Sequence, residues 1–272
     1  MPNVSVIIPT FNRAHLIKES VSSVLAQTFK PKEVIVVDDG SSDKTWDILK
    51  NLGFSLSESR KNTLRYIYKE NGGVSSARNI GIELSSSEYV ALLDSDDQWK
   101  PTKLEAQLSS LKKESFSCRV SHTNEIWIRN GIRVNQHKKH SKNGGDLFEK
   151  CLKMCCISPS SALIHRTVFN DLGGFDESLK ACEDYDFWLR YCAFEQTHFL
   201  NEQLTIKNGG HSDQLSQKYW GMDRFRIYSL EKLLKNKNLS RSKYELALTE
   251  LILKLKILMN GSMKRGKKDF TD

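Results

Sequence analysis

The sequence predicts an α/β protein with a mixed sheet flanked by helices and a helical extension at the C-terminus. Three observations support this class. Apolar, β-branched runs alternate with helical patterns through the first hundred residues, which is typical of a doubly wound parallel sheet. Several of these runs are apolar without interruption, as expected for strands buried on both faces. The rest of the chain mixes strands and helices less regularly and ends in a helical pattern.

The first half contains four predicted strands separated by helices. We expect the first strand to end at Pro9 and the second to end at Asp38. The helical segments carry apolar residues on one face, and Ser41-Ser42-Asp43 offers an N-cap before one of them. The predicted strands are residues 4–8, 34–37, 64–68 and 89–93, and the predicted helices cover residues 16–25, 46–49 and 74–84.

The second half is predicted to be a mixed α+β region. Residues 124–135 have two alternating arms around Asn130-Gly131, which indicates a hairpin. Further strands are predicted at residues 160–164 and 204–207, and a helix at residues 186–193.

Composition predicts a soluble, globular protein, which is either one large α/β domain or a domain with a small appendage. The chain has 272 residues, of which 39% are hydrophobic and 27% charged. The net charge of +8 belongs to the C-terminal segment, because residues 224–272 hold 13 Lys and Arg against 5 Asp and Glu. The basic character therefore says little about the chemistry of the main domain.

The cysteines and the N-terminus predict a cytoplasmic protein. None of the six cysteines belongs to a paired C-x-x-C set, which argues against a zinc site. The stretch MPNVSVIIPTFNR has no basic region followed by a long apolar run and a small-residue cleavage site, so we expect no secretion signal. Reduced thiols follow from that location.

Clustered carboxylates follow the fourth predicted strand, whose apolar run ends in Asp94, Asp96 and Asp97. Mutual repulsion makes such a cluster unfavourable unless a positive charge lies against it. Ligands of a doubly wound sheet bind outside the carboxyl ends of the strands, and Asp38-Asp39 marks a second such end. Hard oxygen ligands at this edge favour Mg²⁺ or Mn²⁺ bound together with substrate phosphates. The alternative is that the acidic turn only caps the next helix.

Several well-known catalytic motifs are absent from the sequence. It contains no G-x-S-x-G, no G-x-x-x-x-G-K-S/T, and no G-x-G-x-x-G after the first strand. We therefore expect a metal ion, rather than a glycine-rich loop, to neutralise the phosphates of any bound nucleotide.

Six segments occur in this order along the chain: VSVIIPTFNR, VIVVDDGSSDKT, ENGGVSSARNIGI, YVALLDSDDQW, LGGFDES and CEDYDFWLR. Together they resemble the motifs of the inverting glycosyltransferases with the GT-A fold, the family-two type. The resemblance covers roughly residues 3–220 and implies a Rossmann-like GT-A domain. We predict that domain at residues 1–223, with a nucleotide-binding half at 1–100, an acceptor-binding half at 101–223, and a basic amphipathic tail at 224–272.

The resemblance implies a pocket for the base and ribose of a nucleotide. Asp39 would accept a hydrogen bond from uracil N3–H. Arg78 either lies against the nucleotide or forms an ion pair with an acidic neighbour. The implied nucleotide-binding residues are Pro9, Thr10, Asn12, Arg13, Asp38, Asp39, Arg78, Asp94 and Ser95.

The resemblance also implies a metal site and a catalytic base. Asp96 would bind a Mn²⁺ or Mg²⁺ ion that bridges the diphosphate, and Asp94 would touch that metal or the ribose. His211 either completes the metal site or is a solvated loop residue. Asp184 matches the catalytic base, and Glu183 would orient that base or the acceptor.

The predicted function is transfer of single sugars. Processive relatives carry a Q-x-x-R-W element, which this sequence lacks. We predict a metal-dependent inverting transferase that moves one sugar from a nucleotide-sugar, a UDP-sugar, to a hydroxyl of a saccharide or lipid-linked acceptor, in surface polysaccharide or glycolipid biosynthesis. Lys138-Lys139-His140 is predicted to be a surface segment over the acceptor site.

Two other functions have sequence requirements that this chain does not meet. A nucleotidyltransferase on a related fold would need a glycine-rich, basic loop after the first strand, and PTFNRAHL has none. A non-catalytic nucleic-acid-binding module would need a basic sheet with interleaved aromatic residues, which the sequence also lacks. We therefore expect no nucleic-acid partner.

The C-terminal tail predicts an amphipathic helix. Glu250, Lys254 and Lys256 exclude a membrane span. The apolar stripe and the cationic residues 264–268 predict peripheral attachment to an anionic inner membrane face. The alternative is packing on the catalytic domain or on a second copy of the chain, as in a homodimer. The stripe consists of Tyr244, Leu248, Leu251, Ile252, Leu255, Leu258 and Met259.

Overall fold

The chain folds around one ten-stranded mixed sheet with helices on both faces, in a computed structural model that describes residues 2–57, 59, 62–210 and 218–264. The predicted fold class is confirmed. The strands are β1 (Val4–Thr10), β2 (Glu33–Asp38), β3 (Ser55–Leu56), β4 (Leu64–Tyr68), β5 (Tyr89–Leu92), β6 (Gln98–Trp99), β7 (Val120–Arg129), β8 (Ile132–Val134), β9 (Ala162–His165) and β10 (His198–Gly209). The α-helices are α1 (Ile17–Leu25), α2 (Thr45–Asn51), α3 (Val74–Leu84), α4 (Lys103–Lys113), α5 (Phe148–Lys153), α6 (Thr167–Leu172), α7 (Glu183–Cys192), α8 (Asp223–Leu234) and α9 (Arg241–Lys264).

The first half of the chain forms the parallel part of the sheet. Strand β1 pairs in parallel with β2 on one side and with β5 on the other, and β2 pairs in parallel with β4. All residues of β1 and β2 are buried, which explains their continuous apolar character. The parallel arrangement brings the carboxyl ends of β1, β2 and β5 to one edge.

The second half extends this sheet with mixed strand directions. Strand β9 lies antiparallel between β5 and β7, and β10 runs parallel to β7. The predicted hairpin is confirmed as β7–β8, with Arg129 opposite Ile132. The strand order is β3-β4-β2-β1-β5-β9-β7-β10-β6, and β8 pairs with β7.

The prediction that the first strand ends at Pro9 is wrong, because β1 continues to Thr10. The carbonyl of Ile7 accepts the Leu93 N–H at 3.0 Å, on the β5 side. Backbone groups of alternate residues face the same neighbour, so Pro9 also faces β5. The β1–β5 pairing ends at Ile7 and Leu92, and the missing N–H of Pro9 therefore falls beyond that ladder.

Other element boundaries also differ from those predicted. Helix α7 begins at Glu183 instead of residue 186. Cys182, which directly precedes the helix, has a left-handed backbone conformation with a φ of 61°. Strand β10 extends back to His198, whose partner on β7 is Ser121. Its exposed residues 201–203 fall at two register shifts against β7, which interrupts the strand pattern in the sequence. Strands β3 and β6 have two residues each and are too short to show a period.

Two apolar cores cover the two faces of the sheet. Val6 and Ile8 face α1, α2 and α4, whereas Ile7 faces α3 and the helices of the second half. Helix α3 lies close against β1, since a Cβ atom at Gly81 would lie 2.3 Å from Ile7 Cγ2. This close approach fixes α3 beneath the strand ends that carry the site.

The C-terminal helices pack on the domain through one face. Leu230 and Leu233 of α8, with Ala247 and Leu251 of α9, are buried in the core that also contains α7. The C-terminal helices therefore pack on the domain, as one of the predicted alternatives requires.

None of the described helices is long and apolar enough to cross a bilayer. The exposed apolar residues of the predicted stripe are Tyr244, Leu248, Ile252, Leu255 and Met259.

Candidate active site

The carboxyl ends of β1 and β2 form one wall of the site. Thr10 pairs in register with Asp38, and the Asp39 N–H donates to the Thr10 carbonyl at 2.8 Å. Asp38 is fully buried, and its two oxygens accept from the Ser41 N–H at 2.8 Å and the Tyr66 hydroxyl at 2.7 Å. Burial and the bond to Asp38 raise the pKa of Tyr66, so its hydroxyl remains a donor. Asp38 therefore holds the loop after β2 in place.

Asp39 receives donors from the segment that opens α3. Its Oδ1 accepts from Lys69 Nζ at 2.6 Å and from the Gly72 N–H at 2.9 Å, and its Oδ2 accepts from the Gly73 N–H at 2.8 Å. Gly73 has a φ of +93°, which favours glycine. A carboxylate offers about four lone-pair positions, so Asp39 retains capacity for a further donor.

Thr10, the last residue of β1, and Asn12, in the segment after β1, belong to the same wall of the site. Asn12 donates its N–H to Ser41 Oγ at 2.7 Å, and its Oδ1 accepts the Ser42 N–H at 2.9 Å. This predicted pocket residue therefore joins two loops. Thr10 Oγ1 is buried and has no hydrogen-bond partner among the described residues. A buried polar atom without a partner suits contact with a ligand.

Residues 94–97, the acidic segment after β5, form a tight turn, which we call the acidic turn. The Asp97 N–H donates to the Asp94 carbonyl at 3.0 Å. Asn208 on β10 fastens the turn, because its backbone N–H donates to Asp97 Oδ1 at 3.0 Å and its Nδ2 donates to the Asp96 carbonyl at 2.7 Å. Asn208 was not predicted, since nothing in the sequence reveals the register that brings β10 against this turn.

The negative charge of the acidic turn is not fully offset by nearby cationic side chains, which favours the binding of a cation. Burial, and then repulsion from Asp94, raises the pKa of Asp96, although Arg13 and Lys207 oppose this. Burial and the charge of Asp96 raise the pKa of Asp97 well above its usual value. Within the described residues no group of three or more His, Cys, Asp or Glu side chains is arranged to hold a metal ion. Two carboxylates would therefore need oxygens from a ligand to complete such a site.

Arg78 connects the acidic turn to α7. Its Nη2 donates to Asp94 Oδ1 and its Nη1 to Glu183 Oε1, each at 2.8 Å, and the guanidinium lies 5.1 Å from the ring centroid of Phe175. Burial alone would lower the pKa of Arg78, but Asp94 and Glu183 raise it above its ordinary value. Burial raises the pKa of Glu183 despite the opposing Arg78 charge. The ion-pair interpretation of Arg78 thus matches the described contacts.

Asp184 lies in the first turn of α7, beside Glu183. Its Oδ1 accepts the Tyr185 N–H at 2.7 Å, and its Oδ2 accepts the Cys155 thiol at 3.2 Å. The positive end of the helix dipole favours an ionised carboxylate at this position. The side chain is partly exposed, so a ligand can reach it.

Asp184 faces a cavity of about 170 Å³, which we call the Asp184 cavity. Lys139 and His140 line it, as the predicted surface segment would require. Lys207 on β10 was not among the site residues predicted from the sequence. Burial alone would lower its pKa, but Glu125, Asp97, Asp94 and Asp184 raise that pKa above the usual value. The charged lining residues are Glu125, Lys139, Lys142, Lys150, Asp184 and Lys207.

Two other predicted site residues have different outcomes. Ser95 is buried in the acidic turn, and its carbonyl accepts the Ser20 hydroxyl at 2.8 Å. His211 lies outside the described residues. The structure therefore brings Thr10, Asp39 and the acidic turn to one edge of the sheet, and Arg78 links that turn to α7.

Comparison with known proteins identifies the family. The family model for glycosyl transferase family 2 matches residues 5–173. An uncharacterized glycosyltransferase of Rickettsia typhi is 36% identical over 217 residues, covering 78% of this chain and 65% of the relative. A UDP-Glc:α-D-GlcNAc-diphosphoundecaprenol β-1,3-glucosyltransferase of Escherichia coli, WfgD, is 37% identical over 186 residues, covering 68% of each chain.

Solved structures share the fold. Staphylococcus aureus TarS 1–349 in complex with UDP-GlcNAc superposes with a TM-score of 0.71 at 22% identity, over 93% of this chain and 72% of that one. A mannosyltransferase of Pyrobaculum calidifontis, in complex with GDP-Man and Mn²⁺, gives a TM-score of 0.64 at 17% identity, over 95% and 75% of the two chains. At these identities the likeness concerns the fold alone.

The fold and the strand-end site define a GT-A protein. The chain belongs to glycosyl transferase family 2. It spans 65% of the length of the R. typhi relative and 36% of the length of a Rickettsia felis relative.

Proposed function

We propose that the chain is a metal-dependent inverting glycosyltransferase that moves one sugar from a UDP-sugar to an acceptor hydroxyl. The observation that carries this proposal is the bridge from Asp94 through Arg78 to Glu183. It ties the acidic turn at the end of β5 to the helix that presents Asp184. A donor at the strand ends and an acceptor in the Asp184 cavity would meet at this bridge.

The nucleotide would lie across the ends of β1 and β2. Asp39 has remaining capacity to accept the N3–H of uracil, and the unpartnered Thr10 hydroxyl faces the same edge. Arg13 is close enough to act on the charge of Asp96. Pro9, Asn12, Asp38 and Ser95 would shape the pocket through the backbone and loop contacts they make.

Asp96 and Asp94 would hold a divalent cation together with the diphosphate of the donor. Their carboxylates are the hard ligands that Mn²⁺ and Mg²⁺ prefer, and repulsion within the turn favours a cation. The bound ion would offset negative charge on the leaving diphosphate. His211 remains a predicted third ligand.

Asp184 would act as the general base. The acceptor hydroxyl oxygen forms a bond to C1 of the sugar, and its proton passes to the Asp184 carboxylate. The bond between C1 and the diphosphate oxygen breaks, and its electron pair leaves on UDP. Attack on the face opposite to the leaving group inverts C1. Glu183, held by Arg78, would position the first turn of α7.

The donor and acceptor classes are supported by a relative. The name of the E. coli protein WfgD specifies a UDP-glucose donor and an acceptor sugar linked to diphosphoundecaprenol. We infer a UDP-sugar donor and a saccharide or lipid-linked acceptor for this chain, in surface polysaccharide or glycolipid biosynthesis. Glycosyl transfer at the cytoplasmic side of a membrane is the corresponding location.

The outer face of α9 is proposed to rest on an anionic membrane surface. Exposed apolar side chains such as Leu248, Ile252 and Met259 follow one another along the helix. Residues 224–272 account for the whole net positive charge of the chain. Apolar burial combined with attraction to anionic lipids is how interfacial helices bind.

A transfer assay tests the proposed activity. The protein would be incubated with UDP-sugars, Mn²⁺ or Mg²⁺, and saccharide acceptors that carry a free hydroxyl, and UDP release and the anomeric configuration of the product would be measured. We expect acceptor-dependent UDP release and an inverted linkage. A product that retains the donor configuration would contradict the proposal.

A further inference from the structure

We propose that Lys139 and Lys150 form a subsite for a phosphate group carried by the acceptor. This inference rests on the proposed function and specifies what its acceptor side recognises. The subsite lies at the Asp184 cavity, so a bound acceptor would present its hydroxyl to Asp184 and its phosphate to the lysines.

The Asp184 cavity carries an excess of positive charge. Among the described residues that line it, four lysines face two carboxylates, Glu125 and Asp184. Because like charges repel, a cavity of about 170 Å³ that is lined by four lysines favours the entry of an anion.

The charges of two of the four lysines are offset by nearby carboxylates. Lys142 Nζ lies 3.2 Å from Glu125 Oε1, in a buried pair. Lys207 interacts electrostatically with Glu125 and with Asp97 and Asp94 of the acidic turn, and thereby offsets part of their negative charge. These two lysines balance the acidic groups of the cavity and of the neighbouring turn.

Lys139 and Lys150 have no carboxylate partner among the described residues. Lys150 donates to neutral oxygens, the Ser141 carbonyl and Asn143 Oδ1, the latter at 2.9 Å. Burial, and then the charge of Lys142, lowers the pKa of Lys150, although Cys156 and Cys151 oppose this. Burial, and then the charge of Lys139, also lowers the pKa of His140. Among the described residues, Lys139 and Lys150 therefore have no carboxylate that offsets their charge.

The chemistry of the subsite favours a phosphate. Lysine ammonium groups are compact point charges that bind phosphate oxygens through several donors. The partial exposure of Lys150 and the exposure of Lys139 leave both ammonium groups reachable from solvent. The phosphate could belong to a lipid-linked diphosphate or to a soluble phosphorylated saccharide.

The first test is a binding measurement that requires no turnover. Inorganic phosphate would be titrated calorimetrically into the protein saturated with UDP and Mg²⁺, so that the donor site is filled. We expect the double variant Lys139→Gln/Lys150→Gln to weaken phosphate affinity by about tenfold or more. The double variant Lys139→Arg/Lys150→Arg, which retains the charge, should keep affinity within about threefold of wild type. Lys153→Gln, an exposed position on α5 outside the cavity, is the matched control and should bind like wild type.

The outcome separates this inference from the proposed function. UDP binding with no phosphate binding, or phosphate binding unaffected by the double Gln variant, overturns the subsite and leaves the glycosyltransferase proposal intact. Phosphate binding that the double Gln variant weakens, in a protein that does not bind UDP, supports the subsite and contradicts the proposed donor.

Competition then identifies the source of the phosphate. A short-chain prenyl diphosphate-linked saccharide, a saccharide phosphate and a neutral methyl glycoside would each be tested as competitors of inorganic phosphate. Displacement by the lipid-linked compound alone assigns the subsite to a lipid-linked acceptor, and displacement by both anionic compounds assigns it to phosphate itself. Equal displacement by the neutral glycoside would contradict the inference.

Discussion

Arg78 Nη1 lies 2.8 Å from Glu183 Oε1, in a buried ion pair between residues 105 positions apart in the sequence. The same guanidinium holds Asp94 through Nη2. One side chain thus fixes the distance between the acidic turn and the first turn of α7. Because a guanidinium presents its donors in a rigid fork, it positions both carboxylates at once.

Removing this bridge should destabilise the fold. Arg78→Met leaves the buried Glu183 without its cation, and we expect a loss of about 3 kcal/mol in the free energy of unfolding. Combining it with Glu183→Gln should cost less than the sum of the two single changes, with a coupling of about 1 kcal/mol or more in urea unfolding. Arg119→Met, which removes exposed ion pairs, is the control and should cost under about 1 kcal/mol. Strict additivity at Arg78 and Glu183 would show that the pair does not act as a unit.

Asp184→Asn should abolish most turnover without affecting donor binding. The amide keeps the shape of the side chain and loses its basicity, so we expect a decrease of about 10²-fold or more in kcat. Binding of the donor and Mn²⁺ should remain near wild type. Asp186 provides a contrast on the same helix, because it is fully buried and paired with Arg190 and Lys232. Near-normal turnover of Asp184→Asn at saturating acceptor would remove Asp184 from the mechanism.

The apolar outer face of α9 should promote binding to anionic vesicles. The triple variant Leu248→Gln/Ile252→Gln/Met259→Gln removes exposed apolar groups only, and should reduce co-sedimentation with vesicles that contain phosphatidylglycerol. Ser242→Gln/Thr249→Gln changes exposed polar positions of the same helix and serves as the control. Deleting the helix would be less informative, because Ala247 and Leu251 belong to the core. Equal recovery of all three proteins with the vesicles would exclude the membrane role.

His122 should make the protein less stable in acid. Burial, and then the charge of Lys142, lowers the pKa of His122 to about 3. The unfolded chain takes up this proton near pH 6.5, whereas the folded chain does not, so stability is lost as the pH falls from about 6.5 towards 3. His122→Leu should remove this contribution, which amounts to about 1.4 kcal/mol per pH unit below 6.5. Urea unfolding between pH 8 and pH 5 measures it. Parallel stability curves for the variant and wild type would refute the assignment.

Much of the parallel half could be predicted from the sequence. Continuous apolar runs and one-faced helical patterns located β1, β2, β4, β5 and α3, because these elements are buried as their patterns require. The proximity of the polar residues 10–13, 38–39 and 94–97 also follows from the parallel topology, since it brings the ends of adjacent strands together.

The contacts between the two halves could not be predicted. Asn208 and Lys207 reach the acidic turn only through the register of β10, which contains two shifts. Lysines of the Asp184 cavity come from separate segments, and no local pattern in the sequence relates Lys150 to Lys207. The role of Arg78 was left open between nucleotide contact and ion pair, because the sequence does not reveal that Glu183 lies beside it.

The most direct test of this account is the thermal stability of the protein with UDP, measured with and without Mn²⁺, in wild type and Asp96→Ala. We expect UDP at 100 times its Kd to stabilise the wild type by about 2.7 kcal/mol in the presence of Mn²⁺. Asp96→Ala should unfold close to the wild-type temperature without ligand, because Asp96 is partly exposed and its carboxylate is unfavourably close to Asp94. It should also lose the Mn²⁺-dependent part of the UDP effect. No stabilisation of the wild type by UDP and Mn²⁺, or a full Mn²⁺-dependent effect in Asp96→Ala, would contradict the account.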